Sequence, residues 1–174
     1  HLEALGAKWR VVRDVDGLSA VDRLIVPGGE STVMTRYLTR FSLTEPLRMR
    51  IGQGMPVWGI CAGSILLAQS VDGRPGILSA LPIRVLRNAY GRQVDSFQAD
   101  LEVPSLALPA FPAVFIRAPR IVETGDGVEV LSRLGEDPVF VRKRSVMATT
   151  FHPELGPDSS FHRCFLSMEA PHQS

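Results

Sequence analysis

Met55-Pro56-Val57-Trp58-Gly59-Ile60-Cys61-Ala62-Gly63 is an apolar run that stops on a cysteine held between two glycines. It reads as a buried strand followed by a sharp turn into a helix. The spacing Gly-x-Cys-x-Gly is the thiol form of the nucleophile elbow otherwise written with serine. A nucleophile on such a turn sits in a strained backbone conformation. A side chain at either flanking position would strike the neighbouring strand or helix, so both flanks are glycine. The helix expected from Ala62 to Val71 aims its N-terminal amides and positive dipole end at the sulfur. That arrangement favours a thiolate and supplies donors for a developing oxyanion. Free cysteines more often serve as small buried hydrophobes. Cys164, in the amphipathic stretch Ser160-Phe161-His162-Arg163-Cys164-Phe165-Leu166, has no glycine context and takes that role.

A cysteine nucleophile needs a base, and the base needs an orienting partner. Of the four histidines, His1 is terminal, His172 lies in a polar tail, and His162 is expected on the solvent face of the last helix. His152 directly follows the apolar run Ser145-Val146-Met147-Ala148-Thr149-Thr150-Phe151 and opens His152-Pro153-Glu154. The strand delivers the imidazole to the sheet edge. An extended chain at Pro153 would let residues 152 and 154 project to one side, where Glu154 can fix the imidazole tautomer. Alone, His-Pro-Glu reads equally well as a turn beside a surface carboxylate. With the elbow it completes Cys61–His152–Glu154, with room for several strands between nucleophile and base.

Alternating strands and helices surround these motifs. The strands are expected at Trp9–Arg13, Leu24–Val26, Arg84–Arg87, Phe97–Val103, Ala113–Ile116, Val128–Leu131 and Pro138–Arg142, besides those leading to Cys61 and His152. Residues 1 to 5 read as a helix end stopped by Gly6. Further helices are expected from Ser31 to Arg40, from Glu45 to Gln53 behind a Thr44 cap, and from Ser159 to Glu169. This order argues for an α/β domain of three layers around a mostly parallel sheet. Pro27-Gly28-Gly29, Cys61 and His152 then all fall at the carboxyl ends of strands, where sites form in such sheets.

With 174 residues, 45% of them hydrophobic, and a net charge of +1, the chain reads as one ordinary soluble domain spanning 1–174. No basic block suggests nucleic acid; Arg142-Lys143-Arg144 reads as a strand end or turn. No run suggests a membrane span or a signal peptide. Two cysteines without pairing logic fit a reducing, cytoplasmic setting.

Five segments together resemble the class I, or triad, glutamine amidotransferases, whose fold is flavodoxin-like. They are Pro27-Gly28-Gly29-Glu30-Ser31-Thr32, Gly59 to Gly63, Arg87-Asn88-Ala89-Tyr90-Gly91-Arg92-Gln93-Val94-Asp95-Ser96-Phe97, Phe115-Ile116-Arg117-Ala118-Pro119 and Phe151-His152-Pro153-Glu154-Leu155. The third and fourth are similar to the glutaminase subunits of pyridoxal 5′-phosphate synthases in particular.

The resemblance implies a glutaminase that hydrolyses L-glutamine to glutamate and ammonia through a Cys61 thioester. It implies Cys61, His152 and Glu154 as the catalytic triad and the Gly29 and Ala62 amides as the oxyanion hole. Substrate contacts carry over to Gly29, Glu30, Ser31, Arg87, Ile116 and Arg117. No metal and no organic cofactor is implied. The implied partner is a barrel-shaped synthase subunit in a large hetero-oligomer, which takes the ammonia for vitamin B6 synthesis. Members of this family begin with a strand ahead of the helix in which His1 stands, so a longer natural chain is expected. Two other readings remain open: a triad glutaminase of another biosynthetic pathway, and a non-catalytic α/β scaffold or redox module.

Overall fold

The computed structural model describes residues 1–87 and 96–170. Asp14 starts α1 (Val15–Ser19) by accepting from the Gly17 amide at 2.7 Å. β1 (Leu24–Val26), α2 (Ser31–Arg40) and α3 (Thr44–Gly52) follow. β2 (Val57–Ile60) runs through Cys61 into α4 (Ala62–Leu67). β3 (Ala68–Val71), β4 (Arg74–Pro75) and β5 (Leu81–Leu86) come next, then the ribbon of β6 (Ser96–Val103) and β7 (Leu108–Ile116). β8 (Arg120–Thr124), β9 (Glu129–Leu134), β10 (Asp137–Lys143), β11 (Val146–Thr149) and α5 (Ser160–Leu166) complete the described elements.

The main sheet has five strands in the order β1-β2-β11-β10-β9. β1, β2 and β11 run parallel, with Leu24 beside Val57 and Val57 beside Val146. β10 and β9 extend the sheet antiparallel. The sheet is therefore mixed, and its parallel part carries the site. Every residue of β2 and β11 is buried, as expected for strands covered on both faces.

Side-chain alternation divides these strands between two cores. Val57, Val141, Val146 and Ala148 pack with Leu47 of α3 and Leu66 and Leu67 of α4. Trp58, Val139 and Met147 pack on the other side with Phe161 and Phe165 of α5 and with Leu101, Phe111, Ala113 and Phe115 of the ribbon. This is the three-layer α/β arrangement. Each large apolar side chain buried there contributes roughly 1.5–3 kcal/mol. A second sheet, β4-β3-β5-β8, adds to the first core through Leu81, Ile83, Val85 and Ile121.

Several elements differ from their sequence expectation, each for a physical reason. Residues 9 to 13 form no strand; Trp9 and Val11 are exposed, and Arg13 is tied through its carbonyl to the Tyr37 hydroxyl at 2.9 Å. The helix expected to reach Val71 ends at Leu67, because Leu78 and Ala80 donate to the Leu66 and Leu67 carbonyls and Ala68 turns extended into β3. Thr44 does not cap α3; the cap position is Leu43, and the buried Thr44 hydroxyl has no partner among the described residues. His162 does not face solvent. α5 buries it at 5% exposure, edge-on to Trp58 and stacked on His1.

Other expectations hold. Ala7 donates to the Leu2 carbonyl and Gly6, at φ +71°, donates to that of Glu3, the bonding of a helix end closed by a glycine. Arg142 and Lys143 close β10, and Arg144 stands in the turn after it. The stretch Asn88–Phe97, expected as a loop or hairpin, lies outside the described residues as far as 95 and enters β6 at Ser96.

Candidate active site

Three adjacent parallel strands end at one place. β1 runs out at Pro27-Gly28-Gly29, β2 at Cys61, and β11 a few residues before His152. Cys61 adopts φ +49° and ψ −105°, outside the basins that ordinary residues favour. Its amide donates to the Thr149 carbonyl of β11 at 2.8 Å, and its carbonyl accepts from the Ser64 amide and hydroxyl at 3.0 and 2.6 Å. The strained turn is thus held from both sides of its peptide.

The two flanking glycines are required by packing. A Cβ on Gly63 would stand 2.0 Å from the Val26 carbonyl oxygen, so α4 could not lie against β1. A Cβ on Gly59 would meet the Gly63 backbone at 2.6 Å. Gly28 lies against the proposed base. Its missing Cβ makes room for the His152 ring, whose Cε1 would lie 2.5 Å away.

His152 is anchored through its amide to the Val114 carbonyl at 2.8 Å. Its Nδ1 and Glu154 Oε1 are 2.7 Å apart. The chain reaches this contact by a 3₁₀ turn over Pro153–Leu155 rather than by the extended path expected of Pro153. The sulfur of Cys61, hydrogen-bonded to the imidazole, and then Glu154 raise the His152 pKa to about 9 against the opposing effect of burial. Near neutral pH the ring is therefore an imidazolium with one proton directed at a carboxylate. The Cys61 thiol also lies 3.7 Å from the Ile116 carbonyl.

His152 opens onto a cleft of about 600 Å³ lined also by Gly29, Glu30, Ser31, Ile65, Arg87, Ile116, Arg117 and Pro119. All six residues expected to contact substrate are among them. Glu30 caps α2, accepting from the Thr32 and Val33 amides at 2.9 and 2.8 Å. Those two amides hold its carboxyl below the usual range, and the Arg87 charge adds to the effect. Arg87 is in turn paired with Asp72, Nε to Oδ2 at 2.6 Å. Arg117 stands at φ +41°, a conformation uncommon for a residue with a side chain.

Among the described residues neither the Gly29 nor the Ala62 amide donates a backbone hydrogen bond. No group of three or more His, Cys, Asp or Glu is gathered as metal ligands among the described residues.

Sequence reasoning missed Ser64, Ile65 and Asp72. Ser64 and Ile65 sit inside the apolar run after the elbow, and Asp72 reads as an ordinary turn residue. Cys164 is half-buried, and burial pushes its thiol pKa up, in keeping with an inert role.

The profile of the SNO glutamine amidotransferase family matches residues 1–170. The chain belongs to that family. Among curated SNO-family relatives, "Pyridoxal 5′-phosphate synthase subunit PdxT" of Parafrankia sp. is 51% identical over 97% of this chain and 86% of its own length. The protein of the same name from Thermotoga maritima is 48% identical over 97% of this chain and 92% of its own. A solved glutamine amidotransferase shares 44% identity and superposes with a TM-score of 0.89, covering 96% of this chain and 89% of that one. The structure of a GMP synthase component from Thermoplasma acidophilum, at 18% identity and a TM-score of 0.66, covers 96% of this chain and 83% of that one, and shares the fold alone. This SNO-family chain is thus a glutamine amidotransferase of α/β fold.

Proposed function

We propose that the chain is the glutaminase subunit of a pyridoxal 5′-phosphate synthase, with its whole length, 1–174, forming one amidotransferase domain. One observation carries this reading above the others. A cysteine in a left-handed strand-to-helix turn meets an imidazolium held by Glu154, at the wall of a cleft that also presents a capped carboxylate and a guanidinium.

L-glutamine enters that cleft as a zwitterion. Its α-carboxylate pairs with the Arg87 guanidinium, and its α-ammonium meets the Glu30 carboxylate. Ser31, Ile116 and Arg117 line the remaining wall. The side-chain amide reaches Cys61, whose thiolate attacks the carbonyl carbon. The oxyanion accepts from the Gly29 and Ala62 amides. His152 gives its proton to the leaving ammonia, and a γ-glutamyl thioester remains. His152, now neutral, takes a proton from water, which attacks the thioester and releases glutamate. Glu154 holds the ring in one tautomer and stabilises its charged form.

The name that the relatives carry, that of a synthase subunit, supports a second chain as the acceptor of ammonia. That partner is the barrel-shaped synthase subunit, in a large hetero-oligomer working in the cytoplasm. No helix of the described residues is long and apolar enough to cross a membrane.

The test is ammonia release from L-glutamine, with and without the synthase subunit. Cys61→Ala, which removes the sulfur and keeps the small buried volume, is the blank. Cys61-dependent release that rises with the partner is the expected result. Equal release by Cys61→Ala would overturn the mechanism, and the same rate with and without the partner would overturn the assignment to this synthase.

A further inference from the structure

Asp72 lies outside the cleft and touches it through one residue. It follows β3 in the hairpin Asp72-Gly73, where both residues have positive φ, +50° and +77°. Asp-Gly suits such a two-residue turn, so the hairpin by itself accounts for an aspartate here. It does not account for where the carboxylate goes. The Asp72 amide donates to the Val85 carbonyl at 3.0 Å, which locks the turn onto β5. Oδ1 accepts from the Arg87 amide at 2.9 Å, and Oδ2 accepts from Arg87 Nε at 2.6 Å.

One carboxylate therefore grips both the backbone and the guanidinium of the same arginine. The grip uses Nε, and among the described residues the two Nη groups donate to no other acceptor. Those are the donors a substrate carboxylate needs for a forked contact. Burial works against the charge of Asp72, but the amide and guanidinium of Arg87 outweigh it and hold its carboxyl below the usual range. The carboxylate stays ionised at working pH.

We infer that Asp72 is a positioning residue for substrate selection: it fixes the Arg87 guanidinium so that the fork is pre-set for the α-carboxylate of the amide substrate. The inference rests on Arg87 being the carboxylate contact proposed above. A long arginine side chain, 43% exposed, otherwise loses rotamer freedom each time substrate binds. Asp72 removes that loss in advance. Because the contact concerns a part of the substrate remote from the scissile amide, it acts on binding and leaves the chemical step alone.

The hairpin chemistry supplies clean variants. Asp72→Gly keeps a residue suited to positive φ and removes both acceptors. Asp72→Asn also suits the turn and removes the charge while keeping one acceptor. The experiment measures KM and kcat for L-glutamine and for 4-aminobutanamide, which is glutamine without its α-carboxylate, with the synthase subunit present. For L-glutamine, Asp72→Gly is expected to raise KM roughly fivefold with kcat nearly unchanged, and Asp72→Asn to fall between it and the parent. For 4-aminobutanamide neither substitution changes kcat/KM.

An unchanged KM for L-glutamine in both variants, while the parent still prefers L-glutamine, overturns the role of Asp72 alone. An equal loss on both substrates overturns it as well, since that is the mark of a merely structural turn. If the parent itself handles the two substrates equally, Arg87 is not the carboxylate contact, and the inference falls with that reading. Should Asp72→Gly fail to fold, Asp72→Asn decides by the same comparison.

Discussion

Cys61 is 6% exposed and the His152 side chain 12%, whereas Arg87 and its partner Asp72 stand 43% and 35% exposed. The first pair is held by backbone: hydrogen bonds to Thr149 of the main sheet and Val114 of the ribbon, and glycines where any side chain would collide. The second region is held by side chains, a helix cap at Glu30 and an ion pair at Arg87. The corner where bonds are proposed to change is therefore built from groups that cannot move without disturbing the core. The rim proposed to recognise the rest of the substrate is held by side-chain contacts that face water. Damage to the corner should act on folding and kcat, and damage to the rim on KM.

The largest effect tests the corner's dependence on packing. Gly63→Ala sets a methyl 2.0 Å from a backbone oxygen of β1, so α4 and β1 must separate. A loss of about 4 kcal/mol or more is expected, enough to unfold a marginal domain, as read by urea denaturation. A Gly63→Ala protein of parental stability would show that the elbow is looser than its geometry.

Next in size is Glu154→Gln. It keeps the shape beside His152 but loses the charge that holds the ring's tautomer and imidazolium. A fall in kcat of roughly 10²- to 10⁴-fold is expected, with KM for glutamine little changed. A change confined to KM would erase the distinction between the two regions.

A third test is the pH dependence of stability. The folded pKa of His152, about 9, lies above its ordinary value of 6.5, so folding favours the charged ring. That contribution is complete below about pH 6.5 and fades as pH rises through 9, by a few kcal/mol at most. Cys61→Ala should move the upper edge of this window down, and further than Glu154→Gln does, because the sulfur is the larger cause. Unfolding curves collected across that range for the three proteins would check the order.

The smallest effect belongs to the rim. Glu30→Ala removes two acceptors from the start of α2 at a fully exposed site. A slight drop in Tm and a higher KM are expected, with kcat retained; a collapse of kcat would place Glu30 with the corner.

Much of the corner was legible because its constraints are local in sequence. Gly59, Cys61 and Gly63 declare a turn by spacing alone, and His152-Pro153-Glu154 brings base and carboxylate together within three residues. The continuous apolar runs of β2 and β11 follow from burial on both faces. What was not legible depends on distant neighbours. Leu67 ends α4 because residues 78 and 80 capture its carbonyls, while Gln69-Ser70-Val71 by themselves would continue a helix. Trp9 to Arg13 has strand-like composition, but no described strand pairs with it. His162 is polar and sits in an amphipathic stretch, so its burial beside Trp58 shows only once α5 is docked. Asp72 looked like a turn residue because it is one; its grip on Arg87 exists only in three dimensions.

The hydrogen bond from the Cys61 amide to Thr149 has a consequence in time. It lies between two central, fully buried strands, so its hydrogen should exchange with solvent only when the whole domain opens. Such openings are rare beside any ordinary turnover. The backbone under Cys61 thus keeps its place beside Thr149 through many catalytic cycles.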